Sequence, residues 1–259
     1  MYPEKMTRVY ECEDSIDGIL SGIYQAWDAR YGHDYIRLTV KGKENSDNLC
    51  LFSEYYEVQT DSQQADKVAG SVRRKLSVRV YETMIRALYS GHPEKADAVY
   101  HFLVLAFRMG EQVLDHLTDS SVQKVFELNR YVMNEAHEYL GFLRFEELEK
   151  GILLARFSPK NDLLEVVTPH FEDRFPEENF IIFDTERKKA SFHRAGYPFV
   201  IQEVREELLR DFAALSGKEK LFQNLWKSFF ETIAVKERNN PFLQRNNLPM
   251  HYRRYMTEF

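Results

Sequence analysis

The chain has 259 residues, 44% of them hydrophobic and 29% charged, with a net charge of -6. This composition excludes a disordered chain and fits a globular protein with ample material for a core. The acidic balance excludes a whole-protein field that attracts nucleic acid, so any such binding needs a local basic patch.

The stretch "TRVYE" reads as an opening strand. "DSIDGILSGIYQAWDARYG" follows with Ile16, Ile19, Leu20, Ile23 and Trp27 at helical spacing, capped by Asp14 or Ser15 and ended by Gly32. "YIRLTVKG" reads as a second strand, and "LCLFSEYYEVQT" is apolar and partly extended. From Asp61 the pattern is helical through four segments, "TDSQQADKVAGSVRRKL", "SVRVYETMIRALYSG", "HPEKADAVYHFLVLAFRMG" and "TDSSVQKVFELNRYVMNEAHEYLG". Their short connections predict antiparallel packing.

At Gly141 the pattern changes to two strands, "FLRFEEL" and "GILLARFSP". A helix with Leu163, Leu164, Val167, Phe171 and Phe175 on one face follows, interrupted by Pro169. "NFIIFDTERKKASFHRAG" then reads as a hairpin turning at Glu186 to Lys188. "FVIQEVREELLRDFAAL" and "KEKLFQNLWKSFFETIAVKE" read as two further helices. The expected class is α+β, mostly helical, with a small antiparallel sheet of order strand-strand-helix-strand-strand in the C-terminal half. The expected segments are 1–60, 61–140, 141–200 and 201–259, folded as one compact unit.

Cys12 and Cys50 form no CxxC pair and read as free thiols in a reducing compartment. With neither a signal-peptide pattern nor a span of about 20 apolar residues, the expected location is the cytoplasm, with no membrane partner. No P-loop, Rossmann fingerprint, zinc-protease or nucleophile-elbow string is present, and no metal or cofactor is expected.

Candidate residues are therefore dispersed. His137, His170 and Asp184 are the candidates for acid–base chemistry; His137 falls on a stripe with Phe126, Met133 and Leu140 that also suits a core histidine. Arg174 lies four residues after His170, on the same helix face, near enough to serve a phosphate if it is not paired with a carboxylate. Arg144 follows the long helix, and Arg187 and Lys188, with Lys189, occupy the hairpin tip. The tail offers Arg238, Arg245, Arg253 and Arg254 with Tyr252 and Tyr255, a composition suited to a phosphate rail or to packing back through Phe242, Leu243, Leu248 and Tyr252.

The C-terminal run "LWKSFFETIAVKERNNPFLQRNNLPMHYRRYMTEF" resembles the terminal motif of a bacterial family of unknown-function-domain proteins assigned to DNA metabolism and DNA repair. "TDSQQADKVAGSVRRKLS", "EAHEYLGFLRFEE", "HFEDRFPEENFIIFDTERKKA" and the opening "VYECEDSIDGILSGIYQAWDAR" resemble its other blocks in order. The family pattern falls on His137, Gly141, Arg144, Phe145, His170, Phe171, Arg174, Asp184, Arg238, Asn240, Pro241, Arg245, Pro249 and Tyr252. Where the family's tail has a basic residue and then "RYW" after the proline, this chain has Met250, His251, Tyr252, Arg253 and Arg254.

The resemblance implies a DNA-binding accessory partner of a radical-SAM repair protein. In longer relatives a similar domain is joined to a uracil-DNA glycosylase-like domain, which this chain is too short to include, and the chain carries no CxxxCxxC for an iron–sulfur cluster. Two alternatives stand beside that reading: an enzyme acting on a nucleic-acid base or nucleotide, and a protein–protein adaptor.

Overall fold

In Thr7–Cys12 (β1), Val9, Tyr10 and Cys12 are buried, and the strand is hydrogen-bonded on both sides. It pairs in parallel with Ile36–Val40 (β2), register Val9 to Arg37, and in parallel with Ser53–Glu57 (β3), register Val9 to Tyr55. Parallel neighbours need a crossover, and Ile16–Asp28 (α1) supplies the one between β1 and β2. Ser15 caps α1 by accepting a hydrogen bond from the Gly18 amide at 3.0 Å. The computed structural model describes residues 5–43, 53–149, 151–205, 215–233 and 241–256.

The chain divides into two compact units, 1–133 and 134–259. The first continues with Ser62–Lys75 (α2), Val78–Leu88 (α3) and Lys95–Met109 (α4). Asp61 and Ser77 cap α2 and α3. In α4, Val99, Tyr100, Phe102 and Leu103 are fully buried, which places this helix at the centre of the first core. The division falls inside Ser120–Phe142 (α5), whose first turn is capped by Asp119.

Two contacts fix α1 and α4 to the sheet end. Gly22 lies so close to β1 that an added Cβ would meet the Cys12 sulfur at 2.3 Å. Gly22→Ala is therefore expected to destabilise the chain by about 1–3 kcal/mol, the cost of overpacking. Equilibrium urea unfolding checks this, and removing the sulfur with Cys12→Ala should recover part of the loss. Burial pushes the Cys12 thiol up to about 12, so it is not a thiolate near neutrality. Cys50 lies outside the described residues.

The second contact is ionic. Lys95, only 5% exposed, donates to Asp14 at 2.7 Å and to the Leu88 carbonyl at 2.8 Å, while Lys43 reaches the other Asp14 oxygen at 2.6 Å. Burial raises the Asp14 carboxyl, but Lys95 and Lys43 together outweigh it, so the group lies below its ordinary range. A depressed carboxyl contributes stability that is present above the unfolded-state value of about 4 and is lost as pH falls through the folded value. Asp14→Asn should cost about 2 kcal/mol at neutral pH, less than a fully buried pair because Asp14 remains partly exposed. Its effect should shrink in acid, as urea titrations at about pH 7 and about pH 3 would record.

In the second unit a five-stranded sheet has the order β4-β5-β6-β7-β8, formed by Phe145–Glu147, Leu153–Phe157, Phe180–Asp184, Lys189–His193 and Val200–Glu203. Leu164–Arg174 (α6) connects β5 to β6, buries Leu164, Val167 and Phe171, and accommodates Pro169 within its span. The α+β class and the strand-strand-helix-strand-strand order agree with the sequence.

Three details differ. β5 and β6 run parallel, because a helical crossover returns the chain in the same direction, while the other three pairings are antiparallel. Val200–Glu203 is a strand rather than the start of a helix, since β7 offers it a free edge with register Phe192 to Val200. The buried stripe of α5 runs through Val122, Val125, Leu128, Val132, Ala136 and Tyr139, which turns His137 outward.

The unit closes with Gly217–Ile233 (α7), the short Pro241–Asn247 (α8) and a 3-10 turn, Met250–Tyr255. Among the described residues no helix is long and apolar enough to cross a membrane.

Candidate nucleic-acid interface

Among the described residues, no hydrogen bond, ion pair or ring contact joins any two of the three acid–base candidates. His137 on α5 and His170 on α6 are exposed, whereas Asp184 at the end of β6 is fully buried. The Asp184 carboxylate accepts from the Glu186 amide at 2.9 Å, the Arg187 amide at 3.1 Å and the Arg187 guanidinium at 3.0 Å. Burial raises its pKa in spite of Arg187, and every one of these contacts shapes the hairpin turn.

Arg187 is committed in the same way. Its guanidinium also donates to the carbonyls of Pro159 at 3.1 Å and Lys160 at 2.6 Å. From the other side Glu135 of α5 accepts from the amides of Lys160 and Asn161 at 2.8 and 2.9 Å and from the Asn161 side chain at 2.6 Å. The loop between β5 and α6 is thus held between a buried carboxylate and an arginine fork.

The tail packs onto this framework. Tyr252 is 7% exposed, with its ring 4.8 Å from Tyr139 and 5.2 Å from Phe142, and its hydroxyl donates to Glu138. It is an anchor, not an open stacking surface. Arg253 caps the end of α8 by donating to the Leu248 carbonyl at 3.0 and 3.1 Å and to Gln244 at 3.2 Å. Arg144 donates to the Gly141 carbonyl at 3.1 Å at the end of α5.

Arg174, Lys188, Arg245 and Arg254 are exposed, with Arg254 4.0 Å from Glu186. Lys188 holds the turn in a left-handed conformation, φ 55°. Arg238 lies outside the described residues.

The first unit contains a groove of about 500 Å³ between α1, α2 and α4 that is lined by aromatic and cationic side chains. Tyr24 and Trp27 come from α1, and Phe107, 36% exposed, from α4. Trp27 is fixed edge-on by Phe107 at 5.4 Å and Tyr100 at 6.1 Å. Lys67 and Lys75 of α2, two turns apart on one face, and Arg30 stand at the rim. Lys67 lies 5.4 Å from the centre of the Tyr24 ring. Among the described residues, none of these three cations has a carboxylate partner, and Asp28 is the groove's one acid.

The groove is spread over three helices whose proximity the sequence does not display. Trp27 reads there as the end of an apolar stripe. The available signal was the spacing of Lys67, Ser71 and Lys75 on an exposed helix face.

The α+β fold and this site describe a chain from a family without an assigned activity. Residues 93–258 match DUF4130, a domain of unknown function, and the chain belongs to that family. No curated protein matches it. A solved chain described as the DHH domain of a member of a ribosomal-protein family is similar at 12% identity and a TM-score of 0.35, covering 83% of this chain and 88% of that one. A likeness of that size assigns neither fold nor function.

Proposed function

We propose that the protein is a nucleic-acid-binding accessory factor of DNA metabolism that holds single-stranded DNA in the groove between α1, α2 and α4. The observation that carries this reading is the convergence of Tyr24, Trp27 and Phe107 with Arg30, Lys67 and Lys75, which have no carboxylate partner among the described residues. Bases stack on aromatic faces whatever their sequence, and cations beside them track phosphates. Only an unpaired strand exposes base faces to such a groove, so single strands are favoured over duplex.

Fluorescence anisotropy of labelled single- and double-stranded oligonucleotides at two salt concentrations tests this. Three phosphate contacts on a single strand predict a log–log salt slope of about -2. Absence of saturable binding at low salt would overturn the reading. The resemblance to the DNA-repair family adds a radical-SAM protein as the partner to be served.

A second reading, as a protein adaptor, is favoured by α7. Its Glu219 and Gln223 face the sheet, accepting from the Glu147 amide and donating to Glu146. Leu221, Phe222 and Leu225 on its outer side remain more than half exposed. Exposed apolar surface of this kind suits the same repair partner, and co-purification lost on Leu221→Asp and Phe222→Asp would support it.

A further inference from the structure

Beside the groove lies a second cavity, of about 420 Å³, walled by α4, β2, the 3-10 turn His33–Tyr35 and the start of α5. The two share a partition. The Trp27 ring of the groove lies 4.8 Å from the His33 ring of the cavity, and Phe107 of the groove precedes Arg108 of the cavity along α4.

The lining is charged, and its carboxylates are mostly committed. Asp97 accepts from Arg37 at 2.9 Å and from the Leu38 amide at 3.1 Å. Asp119 caps α5, and Glu94 pairs with Lys124 at 3.0 Å. Asp34 is the remaining acid, on the rim beside His33. On the cationic side, Arg108 has no carboxylate partner among the described residues.

His33 and His101 each have one ring nitrogen engaged. Nδ1 of His33 lies 2.7 Å from the Tyr100 hydroxyl, and Nδ1 of His101 lies 3.0 Å from the Asp97 carbonyl. A carbonyl only accepts, so His101 donates from Nδ1, and its Nε2 becomes a donor only on protonation. If the Tyr100 hydroxyl donates to His33, the proton of that ring sits on Nε2.

We propose that this cavity is a phosphate site, in which Arg108 and the Nε2 atoms of His33 and His101 hold a phosphate group of the strand whose base stacks on Trp27. The assignment of the strand rests on the nucleic-acid reading; the phosphate chemistry rests on the cavity itself. Arg108 presents the planar fork that suits phosphate, and an anion would relieve the mutual repulsion of Arg108 and the two imidazoles. Burial first, and then the charges of Arg108 and His101, hold His33 below its ordinary value, while Asp34 opposes them. Binding an anion would raise it again, so phosphate and protons are taken up together. Of the other charges facing the imidazoles, Asp97 lies 3.5 Å from Nδ1 of His101 and is paired with Arg37, and Lys124 is paired with Glu94.

The test is calorimetric titration of the full chain with inorganic sulfate, whose charge is constant, and with inorganic phosphate, at about pH 6 and about pH 8. Sulfate should bind at least about tenfold tighter at the lower pH, with proton uptake, and Arg108→Ala should weaken both anions at least about tenfold. His33→Gln should flatten the pH dependence. A 5′-phosphorylated oligonucleotide should bind more tightly than its unphosphorylated form if a terminal phosphate is the natural occupant, and equally if a backbone phosphate is.

No anion binding at either pH, or binding unchanged in Arg108→Ala, would overturn the phosphate site while leaving groove binding intact. Anion binding with no oligonucleotide binding would overturn the groove reading instead and leave the phosphate site standing.

Discussion

The double substitution Lys67→Glu, Lys75→Glu should lower affinity for a single-stranded oligonucleotide by more than about a hundredfold at low salt, because each change removes a phosphate contact and adds a repulsion. Both side chains are exposed on α2 and make no ion pair among the described residues, so the fold should be unaffected and circular dichroism unchanged. With one of three cations left, the log–log salt slope should flatten from about -2 to about -0.7. Trp27→Leu should lower affinity by a smaller factor with the salt slope intact, since stacking is worth about 1–3 kcal/mol per base and releases no counterions. Anisotropy titrations across salt separate the two effects. Equal loss in both variants without a slope change would mean that the groove meets an uncharged partner.

The second large effect is structural. Tyr252→Ala should destabilise the chain by about 3–5 kcal/mol, the range for removing a large buried ring. The ring is held edge-on by Tyr139, which itself packs edge-on against Phe157 at 5.0 Å, so the cavity would open into the core of the second unit. Nearby Met256 is 5% exposed and Tyr255 donates to Thr185 at 3.2 Å, so the turn carrying Tyr252 is tied at several points and cannot readily collapse inward. Arg254→Ala, two residues away, should lie within about 0.5 kcal/mol of the parent, because its pairing with Glu186 is long and solvent-exposed. Chemical denaturation of both variants measures the contrast. Near-equal stabilities would mean that the tail is not docked as described.

These two results divide the residues that the sequence groups together. The run Tyr252, Arg253, Arg254 reads as one basic aromatic patch, yet a single turn sends the first inward, folds the second onto carbonyls and leaves the third outside. Composition shows residue types and not directions, and a 3-10 turn changes direction at every residue. The helices of the first unit are legible because their caps and apolar spacing are local signals, as at Ser15, Asp61 and Ser77.

The parallel pairing of β5 with β6 and the strand at Val200 depend on partners distant in sequence. The groove depends on α1, α2 and α4 meeting, and the apolar spacing of Trp27 displays only its core face. The spacing around His137 points one position off the buried stripe because Phe126 and Met133 look as apolar as Val125 and Val132; only packing separates them.

The position of β1 between β2 and β3 has a consequence for biosynthesis. Of the three strands of this sheet, the one made first is the one with two neighbours, and Thr7 finds its second partner only when Ser53 has been synthesised. Until then one edge of β1 displays unpaired backbone groups to the ribosome exit and to other nascent chains. A pause in translation between Val40 and Ser53 would prolong that exposure, so aggregation of nascent chain is expected to rise with the length of such a pause.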